Sequence, residues 1–217
     1  MSSTFDCSDP VAREAGIASA VSAAKGGRLV VLPTDTVYGI GADAFDASAV
    51  AALLAAKGRG RDMPVPVLVG SWNTIDGLVY TVPRTARELI RAFWPGALSL
   101  VVRQAPSLHW DLGDANGTVM LRMPMHPVAI DVLRDVGPMA VSSANISGQP
   151  PAVTVDEARN QLADLVEVYL DGGPAEQGSA STIVDLTGAA PKILRQGPVS
   201  ADAIGEVLGI NPTILID

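Results

Sequence analysis

Apolar positions along the chain follow two alternating patterns. Apolar residues spaced three or four apart predict amphipathic helices, and these cover residues 10–25, 48–56, 85–93, 127–136, 156–165 and 201–208. Short apolar runs bounded by turn residues predict strands, at residues 29–32, 65–69, 98–102, 119–122, 139–142, 166–170, 182–186 and 192–194. This alternation predicts one α/β domain over residues 1–217, with helices covering a mixed sheet. Residues 211–217 have no predicted partner element.

Composition narrows the class of protein. The chain has 217 residues, 48% of them hydrophobic and 4% aromatic, and a net charge of −8. The apolar fraction is enough for a buried core. The acidic balance excludes broad binding of nucleic acid through charge, although a local basic groove could still hold RNA weakly. The low aromatic content argues against a stacking surface for single strands.

Few residues can bind a metal tightly or form a disulfide. Cys7 is the single cysteine, and His109 and His126 are the two histidines. This excludes an intramolecular disulfide, a cysteine-clustered metal site and a multi-histidine site, so we expect no metal held by the protein itself. The N-terminus lacks the basic and apolar regions of a secretory signal, and no apolar run reaches membrane-spanning length. We therefore expect a soluble cytoplasmic protein that makes no membrane contact.

The first polar segment is PTDTVYGIG, residues 33–41, which follows a predicted buried strand. It carries two threonine hydroxyls, a carboxylate and a phenol within five residues. Its glycines allow the backbone to approach a ligand closely. The residues alone leave two interpretations open, a ligand-binding loop or a turn whose hydroxyls cap its own backbone.

The second segment is KGRGRD, residues 57–62, whose three cations and one anion give a local charge of +2. Flexible glycines beside fixed cations favour a phosphate site. The alternative is a set of cations at a helix C-terminus. That alternative accounts for Lys57 but not for Arg59 and Arg61 beyond the glycine. The P-loop pattern and the complete dinucleotide fingerprint are both absent.

Two more polar segments follow predicted strands. Arg122 ends the apolar strand of TVMLRMP, where it needs either a structural ion pair or the carboxylate or phosphate of a ligand. His126, at the next helix start, is interpreted as structural. The segment SSANISGQP, residues 142–150, offers hydroxyls and amides as donors to oxyanions, or forms a polar turn. No acid–histidine pair lies nearby in sequence, so a serine nucleophile lacks support.

Elimination leaves cations, hydroxyls and backbone amides as the chemical groups of the site. Ser181 and Arg195, near the C-terminal strands, add to this set. Such groups suit the binding of a polyphosphate and the stabilisation of charge at phosphorus. The residues alone therefore predict an enzyme that acts on a nucleotide or a phosphorylated metabolite.

The motifs PTDTVYGIG, KGR, SSANISGQP, STIVD and ILRQG, in this order, resemble the YrdC family of threonylcarbamoyl-AMP synthases. The resemblance implies a three-layer α/β domain with a twisted mixed sheet and a basic central cavity. It also implies a reaction in which L-threonine, bicarbonate or carbon dioxide, and ATP give threonylcarbamoyl-AMP and pyrophosphate. Partner proteins would then transfer the threonylcarbamoyl group to the adenosine beside the anticodon of tRNAs that read ANN codons.

The same resemblance assigns residue roles. The residues expected to contact L-threonine are Thr34, Tyr38, Arg122, Val141 and Ser181. The residues expected to bind ATP are Lys57, Arg59, Arg61, Thr118, Ser143, Asn145 and Arg195. Of these, the ones expected to act in catalysis are Lys57, Arg59, Ser143 and Asn145. Mg²⁺ would accompany ATP, bound mainly by phosphate oxygens.

The sequence departs from the family pattern at three positions. Gly60 replaces a common proline, Leu68 stands where longer relatives carry a histidine near threonine, and Pro151 stands where some carry a serine that contacts the nucleotide. Two related enzymes fit less well. Dihydroxybutanone-phosphate synthase needs acidic metal ligands, and a hydrogenase-maturation carbamoyltransferase needs zinc-binding cysteines. An RNA-binding or ribosome-maturation module of the same fold is the alternative from a different functional class.

Overall fold

The computed structural model describes residues 2–216, and within this range the strands form one ten-stranded mixed sheet. The strand order is β1-β8-β2-β3-β7-β4-β6-β5-β9-β10. The strands are β1 Ser3–Asp6, β2 Val30–Leu32, β3 Gly39–Asp43, β4 Val67–Leu68, β5 Leu98–Arg103, β6 Thr118–Arg122, β7 Met139–Ser143, β8 Val168–Asp171, β9 Thr182–Asp185 and β10 Lys192–Arg195.

The α-helices are α1 Pro10–Lys25, α2 Ala47–Ala56, α3 Ile75–Leu78, α4 Arg84–Phe93, α5 Pro127–Val136, α6 Val155–Leu162 and α7 Ala201–Leu208. Short 3₁₀ turns cover Trp72–Thr74, Ala163–Leu165 and Pro212–Leu215. Local sequence sets the bounds of α1, because the Asp9 carboxylate accepts a hydrogen bond from the Ala12 amide and Pro10 occupies the first turn. Among residues 2–216, no helix has the length and apolar character needed to cross a bilayer.

Two apolar clusters, one on each face of the sheet, make the fold three layers deep. Side chains of α2, α4, α6 and α7 belong to the larger cluster. Side chains of α1 and α5 belong to the smaller one. The predicted α/β architecture with a mixed, helix-covered sheet is therefore confirmed.

The pairing of β3 with β7 brings two of the polar segments together. The strands run antiparallel, and Gly39 lies opposite Ser143. A Cβ atom on Gly39 would lie 2.7 Å from Cγ1 of Val141, so a side chain there would push these strands apart. The glycine thus permits the close approach of PTDTVYGIG to the segment that follows β7.

Several elements differ from the sequence prediction. Strand β3 was expected to be part of a loop, but GIGAD pairs with both β2 and β7. Strand β1 carries no apolar run, yet it pairs in parallel with β8. The expectation that residues 211–217 lack a partner was wrong for the described part of the segment. The turn Pro212–Leu215 lies against α7 and buries Leu215, and residue 217 lies outside the described residues.

Candidate functional site

A cavity of about 220 Å³ opens where the loop after β2, the ends of β6 and β7 and the start of β9 converge. Its wall includes eight of the residues that sequence analysis assigned to the site: Thr34, Tyr38, Arg59, Arg122, Val141, Ser143, Ser181 and Arg195. Four assigned residues, Lys57, Arg61, Thr118 and Asn145, do not line it.

Arg122 is the most firmly held cation of the cavity. It is buried, and its guanidinium donates from Nε to the Gly96 carbonyl at 2.8 Å, from Nη1 to Thr36 Oγ1 at 2.7 Å and from Nη2 to Asp35 Oδ1 at 2.6 Å. Burial lowers the pKa of Arg122, and Asp35 opposes this shift. Of five N–H groups, these bonds leave one on each terminal nitrogen for a ligand.

The loop after β2 uses much of its hydroxyl capacity internally. Thr34 Oγ1 donates to the Val37 carbonyl at 2.6 Å and accepts from the Thr36 amide at 3.2 Å. The two threonine hydroxyls also lie 3.0 Å apart. The loop is therefore a self-capped turn that also forms part of the cavity wall, and its role in ligand binding stays a prediction.

Tyr38 forms a rigid side of the cavity. The side chain is buried, its hydroxyl donates to the Gly173 carbonyl at 2.6 Å, and it accepts from the Gly172 amide at 3.1 Å. Burial raises the pKa of this phenol well above its ordinary value. Tyr38 stays neutral at physiological pH and contributes its ring face rather than acid–base chemistry.

Arg59 approaches the cavity from the segment after α2. Its Nη1 donates to Ser142 Oγ at 3.3 Å and its Nη2 to the Pro64 carbonyl at 3.3 Å. Nε is buried without a hydrogen-bond partner. Burial lowers the pKa of Arg59, but an arginine remains cationic at neutral pH. Arg59 therefore offers a partly desolvated positive charge to an anion.

A chain of hydroxyl contacts links Arg195 to strand β5, the neighbour of β9. Arg195 donates from Nε to the Ser181 carbonyl at 3.0 Å and from Nη2 to Ser181 Oγ at 3.2 Å. Ser181 Oγ lies 2.8 Å from Oγ of the buried Ser99. The register of β10 shifts between Ile193 and Arg195, an irregularity that re-aims side chains in edge strands.

Lys57 lies behind the cavity and holds the segment that follows β7. Its Nζ donates to the main-chain oxygens of Ser143 and Asn145 at 2.5 and 2.7 Å. The Ser147 amide in turn donates to the Lys57 carbonyl. Burial, together with the nearby Arg59, lowers the pKa of Lys57 to about 8. In this structure Lys57 shapes the site instead of presenting its ammonium to the cavity.

Asn145 has a similar supporting position. The side chain is buried, and Nδ2 donates to the carbonyl oxygens of Ile146 and Gln149, each at 2.8 Å. These bonds close the turn that follows β7. The structure therefore places the amide inside the turn, and its contact with ATP stays a prediction.

Arg61 and Thr118 lie at the outer side of the site. Arg61 is exposed, with Nη2 2.8 Å from Asp111 Oδ1 and Nε 3.3 Å from Asp114 Oδ1. Binding of ATP by Arg61 would require it to leave these two carboxylates. Thr118 is the first residue of β6. Because side chains alternate along a strand, Thr118 lies on the same face of β6 as Met120, which lines the cavity.

Four polar residues of the site had no role predicted from the sequence, and one of them, Ser142, lines the cavity and accepts a hydrogen bond from Arg59. Asp35 and Thr36 belong to the first motif, but no role was assigned to them, and both bind Arg122. Ser99 lies in an apolar strand, and the signal for it was a single hydroxyl within LSLVV. Such a hydroxyl at a buried position usually has a specific partner.

The electrostatic character of the cavity is set by three guanidinium groups. Arg59, Arg122 and Arg195 line it, and Asp35 is the carboxylate in direct contact with one of them. Within residues 2–216, no cluster of three or more His, Cys, Asp or Glu side chains is arranged to hold a metal ion. The three guanidinium groups therefore suit an anionic ligand, because a guanidinium binds either a carboxylate or a phosphate.

Comparison with known protein families agrees with this geometry. The sequence profile of Sua5_yciO_yrdC, described as telomere recombination, matches residues 22–197. A putative threonylcarbamoyl-AMP synthase of Mycobacterium tuberculosis is 74% identical over 99% of both chains. The threonylcarbamoyl-AMP synthase of Pyrococcus abyssi is 35% identical over 87% of this chain, which spans 56% of that longer protein.

Comparison with solved structures supports the same grouping. The crystal structure of P. abyssi Sua5 complexed with L-threonine has a TM-score of 0.86 and 35% identity, over 90% of this chain and 59% of that one. Escherichia coli YciO has a TM-score of 0.80 over 91% of this chain and 97% of that one. At 22% identity, the second match supports the fold alone.

Proposed function

Because the chain belongs to the Sua5_yciO_yrdC family, we propose that it is a threonylcarbamoyl-AMP synthase that uses L-threonine, bicarbonate or carbon dioxide, and ATP. The observation that carries the proposal is the convergence of Arg59, Arg122 and Arg195 on one small cavity lined with hydroxyls. Residues 1–217 would act as one domain, and partner proteins would transfer the product's threonylcarbamoyl group to the anticodon-adjacent adenosine of ANN-decoding tRNAs.

The threonine end of the cavity would be centred on Arg122. Its remaining N–H groups suit a carboxylate, which a guanidinium binds with two parallel hydrogen bonds. Val141 offers an apolar wall to the threonine methyl group, and the ring of Tyr38 closes one side. Thr34 and Ser181 would contact the polar atoms of the substrate. A relative that has been crystallised with L-threonine supports this assignment.

The nucleotide would occupy the other end and extend outside the cavity. Ligand pockets for whole small molecules usually span about 300–1,000 Å³, so a cavity of about 220 Å³ is too small for threonine and ATP together. Arg59, Arg195 and Ser143 would contact the phosphates. Thr118 lies about 13 Å along β6 from Arg122, from the rise of four residues, and would contact the part of ATP outside the cavity.

The reaction would take place between the two ends. The threonine amine attacks bicarbonate or carbon dioxide to form a carbamate, with water as the second product when bicarbonate reacts. A carbamate oxygen then attacks the α-phosphorus of ATP, and pyrophosphate leaves. The residues would act by positioning the reactants and by stabilising negative charge. Lys57 and Asn145 would act indirectly, because Lys57 fixes the backbone at Ser143 and the Asn145 amide closes the turn that follows β7.

Mg²⁺ would enter as the ion bound to ATP. Among residues 2–216, the cavity wall provides hydroxyls but no carboxylate, since Asp35 contacts Arg122 without lining the cavity. The residues therefore do not fit a site in which the protein supplies most of the ligands, and phosphate oxygens would hold the ion.

The direct test is pyrophosphate release by the purified protein, with each substrate omitted in turn. The proposal predicts release that requires ATP, L-threonine and bicarbonate together. Arg59→Ala should lower the rate by about 10²–10³, the usual effect of removing one contact that stabilises charge in the transition state. Absence of release from folded protein under every combination would contradict the proposal.

A further inference from the structure

The three arginines of the cavity differ in their pairing with carboxylates. The guanidinium of Arg122 lies 2.6 Å from Asp35 Oδ1, with 7% and 2% of the respective side chains exposed. Among the described residues, Arg59 and Arg195 form no ion pair with a carboxylate, and their side-chain contacts are with hydroxyl and carbonyl oxygens. Arg122 is therefore the cavity arginine in direct contact with a carboxylate, whereas Arg59 and Arg195 contact neutral oxygens and Asp62 acts on Arg59 only at longer range.

Asp35 is held in place independently of Arg122. Its Oδ1 also accepts a hydrogen bond from the Met125 amide at 2.9 Å, and its main-chain oxygen accepts one from the Gln177 amide at 2.9 Å. Asp35 does not line the cavity. The carboxylate is thus a buried negative charge in contact with Arg122, held by hydrogen bonds from Arg122 and from the Met125 amide.

A fixed charge in this place acts differently on the two kinds of anion. The donors left on Arg122 can satisfy one carboxylate, which brings a single negative charge. A diphosphate or triphosphate brings several negative charges, and Asp35 would repel each of these charges. In a partly buried site, repulsion at a few ångströms changes affinity by about tenfold or more per charge.

We propose that Asp35 is a specificity-determining residue that reserves the Arg122 end of the cavity for a carboxylate and excludes polyphosphate from it. This inference rests on the proposed function, since it divides the cavity between threonine and ATP. The phosphates would then be confined to Arg59 and Arg195. Without this division, pyrophosphate or ATP could occupy the threonine end and block it.

The test is a pair of calorimetric titrations with L-threonine and inorganic pyrophosphate as probes. In the wild-type protein, pyrophosphate should leave the Kd of threonine unchanged within about twofold. In Asp35→Asn, which keeps the shape of the side chain and removes its charge, pyrophosphate should compete with threonine and raise its apparent Kd by about tenfold or more.

Two further variants separate charge from geometry. Asp35→Glu keeps the charge, so pyrophosphate should remain non-competitive with threonine. Thr36→Val removes a different hydrogen bond to Arg122 and keeps Asp35. In this variant pyrophosphate should also remain non-competitive with threonine, even where threonine binds more weakly. If Thr36→Val behaves like Asp35→Asn, the effect comes from loss of Arg122 positioning and the proposal is overturned.

The remaining outcomes are also decisive. Competition between pyrophosphate and threonine in the wild-type protein overturns the proposal, and so does the absence of this competition in folded Asp35→Asn. The wild-type titration applies even if Asp35→Asn fails to fold. If the wild-type protein binds no threonine, the proposed function fails separately. The affinity for pyrophosphate alone then decides, because Asp35→Asn should bind it about tenfold more tightly, and an unchanged affinity would overturn the charge-exclusion role.

Discussion

Lys57 Nζ lies 2.7 Å from the carbonyl oxygen of Asn145, so a buried ammonium holds the polar turn that follows β7. Sequence analysis assigned Lys57 to the phosphates of ATP. In the structure, the Lys57 ammonium instead donates hydrogen bonds to main-chain oxygens at the start of the turn. Its influence on the reaction would then pass through the position of Ser143, whose own carbonyl accepts a second bond from Lys57.

Replacement of Lys57 should therefore lower stability as well as activity. Lys57→Met removes the Nζ that bonds the carbonyl oxygens of Ser143 and Asn145, and Ser143 keeps only the bond from the Asn145 amide, so we expect a loss of about 1–3 kcal/mol in the free energy of unfolding. Urea unfolding measures this change. Lys25→Met, at an exposed helix end, is the matched control and should change stability by no more than about 0.5 kcal/mol. Equal effects of the two substitutions would show that Lys57 does not hold the turn.

The lowered pKa of Lys57 makes a separate prediction about pH. The folded protein releases this proton near pH 8, whereas the unfolded chain retains it to about 10.5. Between these values the unfolded state binds more protons, so the Lys57 contribution to stability increases as pH rises. The free energy of unfolding of wild type minus that of Lys57→Met should increase from pH 8 to pH 10. A difference that is flat or decreasing over this range would show that the pKa is not lowered.

Replacement of Arg122 by lysine should act mainly on threonine. Arg122→Lys keeps a positive charge but loses the fork that binds Gly96, Thr36 and Asp35. We expect the KM for L-threonine to rise by about tenfold or more, the equivalent of about 1.4 kcal/mol. Steady-state pyrophosphate release at varied substrate concentrations separates the effects on the two substrates. A larger increase in the KM for ATP would place Arg122 at the phosphate end.

Arg59 and Arg61 should differ strongly in their effect on ATP. Arg59 reaches the cavity with a buried Nε, whereas Arg61 is exposed and paired with Asp111 and Asp114. Arg59→Ala should raise the KM for ATP far more than Arg61→Ala does. Arg61→Ala should change stability little, as is usual for exposed ion pairs. Comparable increases in KM would support the ATP-binding role that sequence analysis assigned to Arg61.

The sequence was sufficient for the parts of the fold that depend on local pattern. Six of the seven described α-helices were predicted from their periodic apolar residues, whereas the four-residue helix α3 was not. Strand β3 was not predicted either, because GIGAD has glycines where strands usually carry bulky side chains, and its partners β2 and β7 supply the stability. The turn at residues 212–215 was missed because the surface it covers on α7 is formed only in the folded protein.

The candidate site was predictable as a set of motifs but not as a network of contacts. Arg122 and Asp35 are 87 residues apart in sequence, and Lys57 and Ser143 are separated by 86. Neither pairing leaves a local pattern. The motifs therefore indicated which residues belong to the site, while only the folded structure distinguishes those that face the cavity from those that hold its wall.

Detection of the product by mass spectrometry would decide whether the protein makes threonylcarbamoyl-AMP. The purified protein would be incubated with ATP, L-threonine and carbon-13-labelled bicarbonate. The account predicts threonylcarbamoyl-AMP that carries one labelled carbon, in amounts that match the pyrophosphate released and that fall sharply in Arg122→Lys. Pyrophosphate release without a labelled adenylate, or no product from folded wild-type protein, would contradict it.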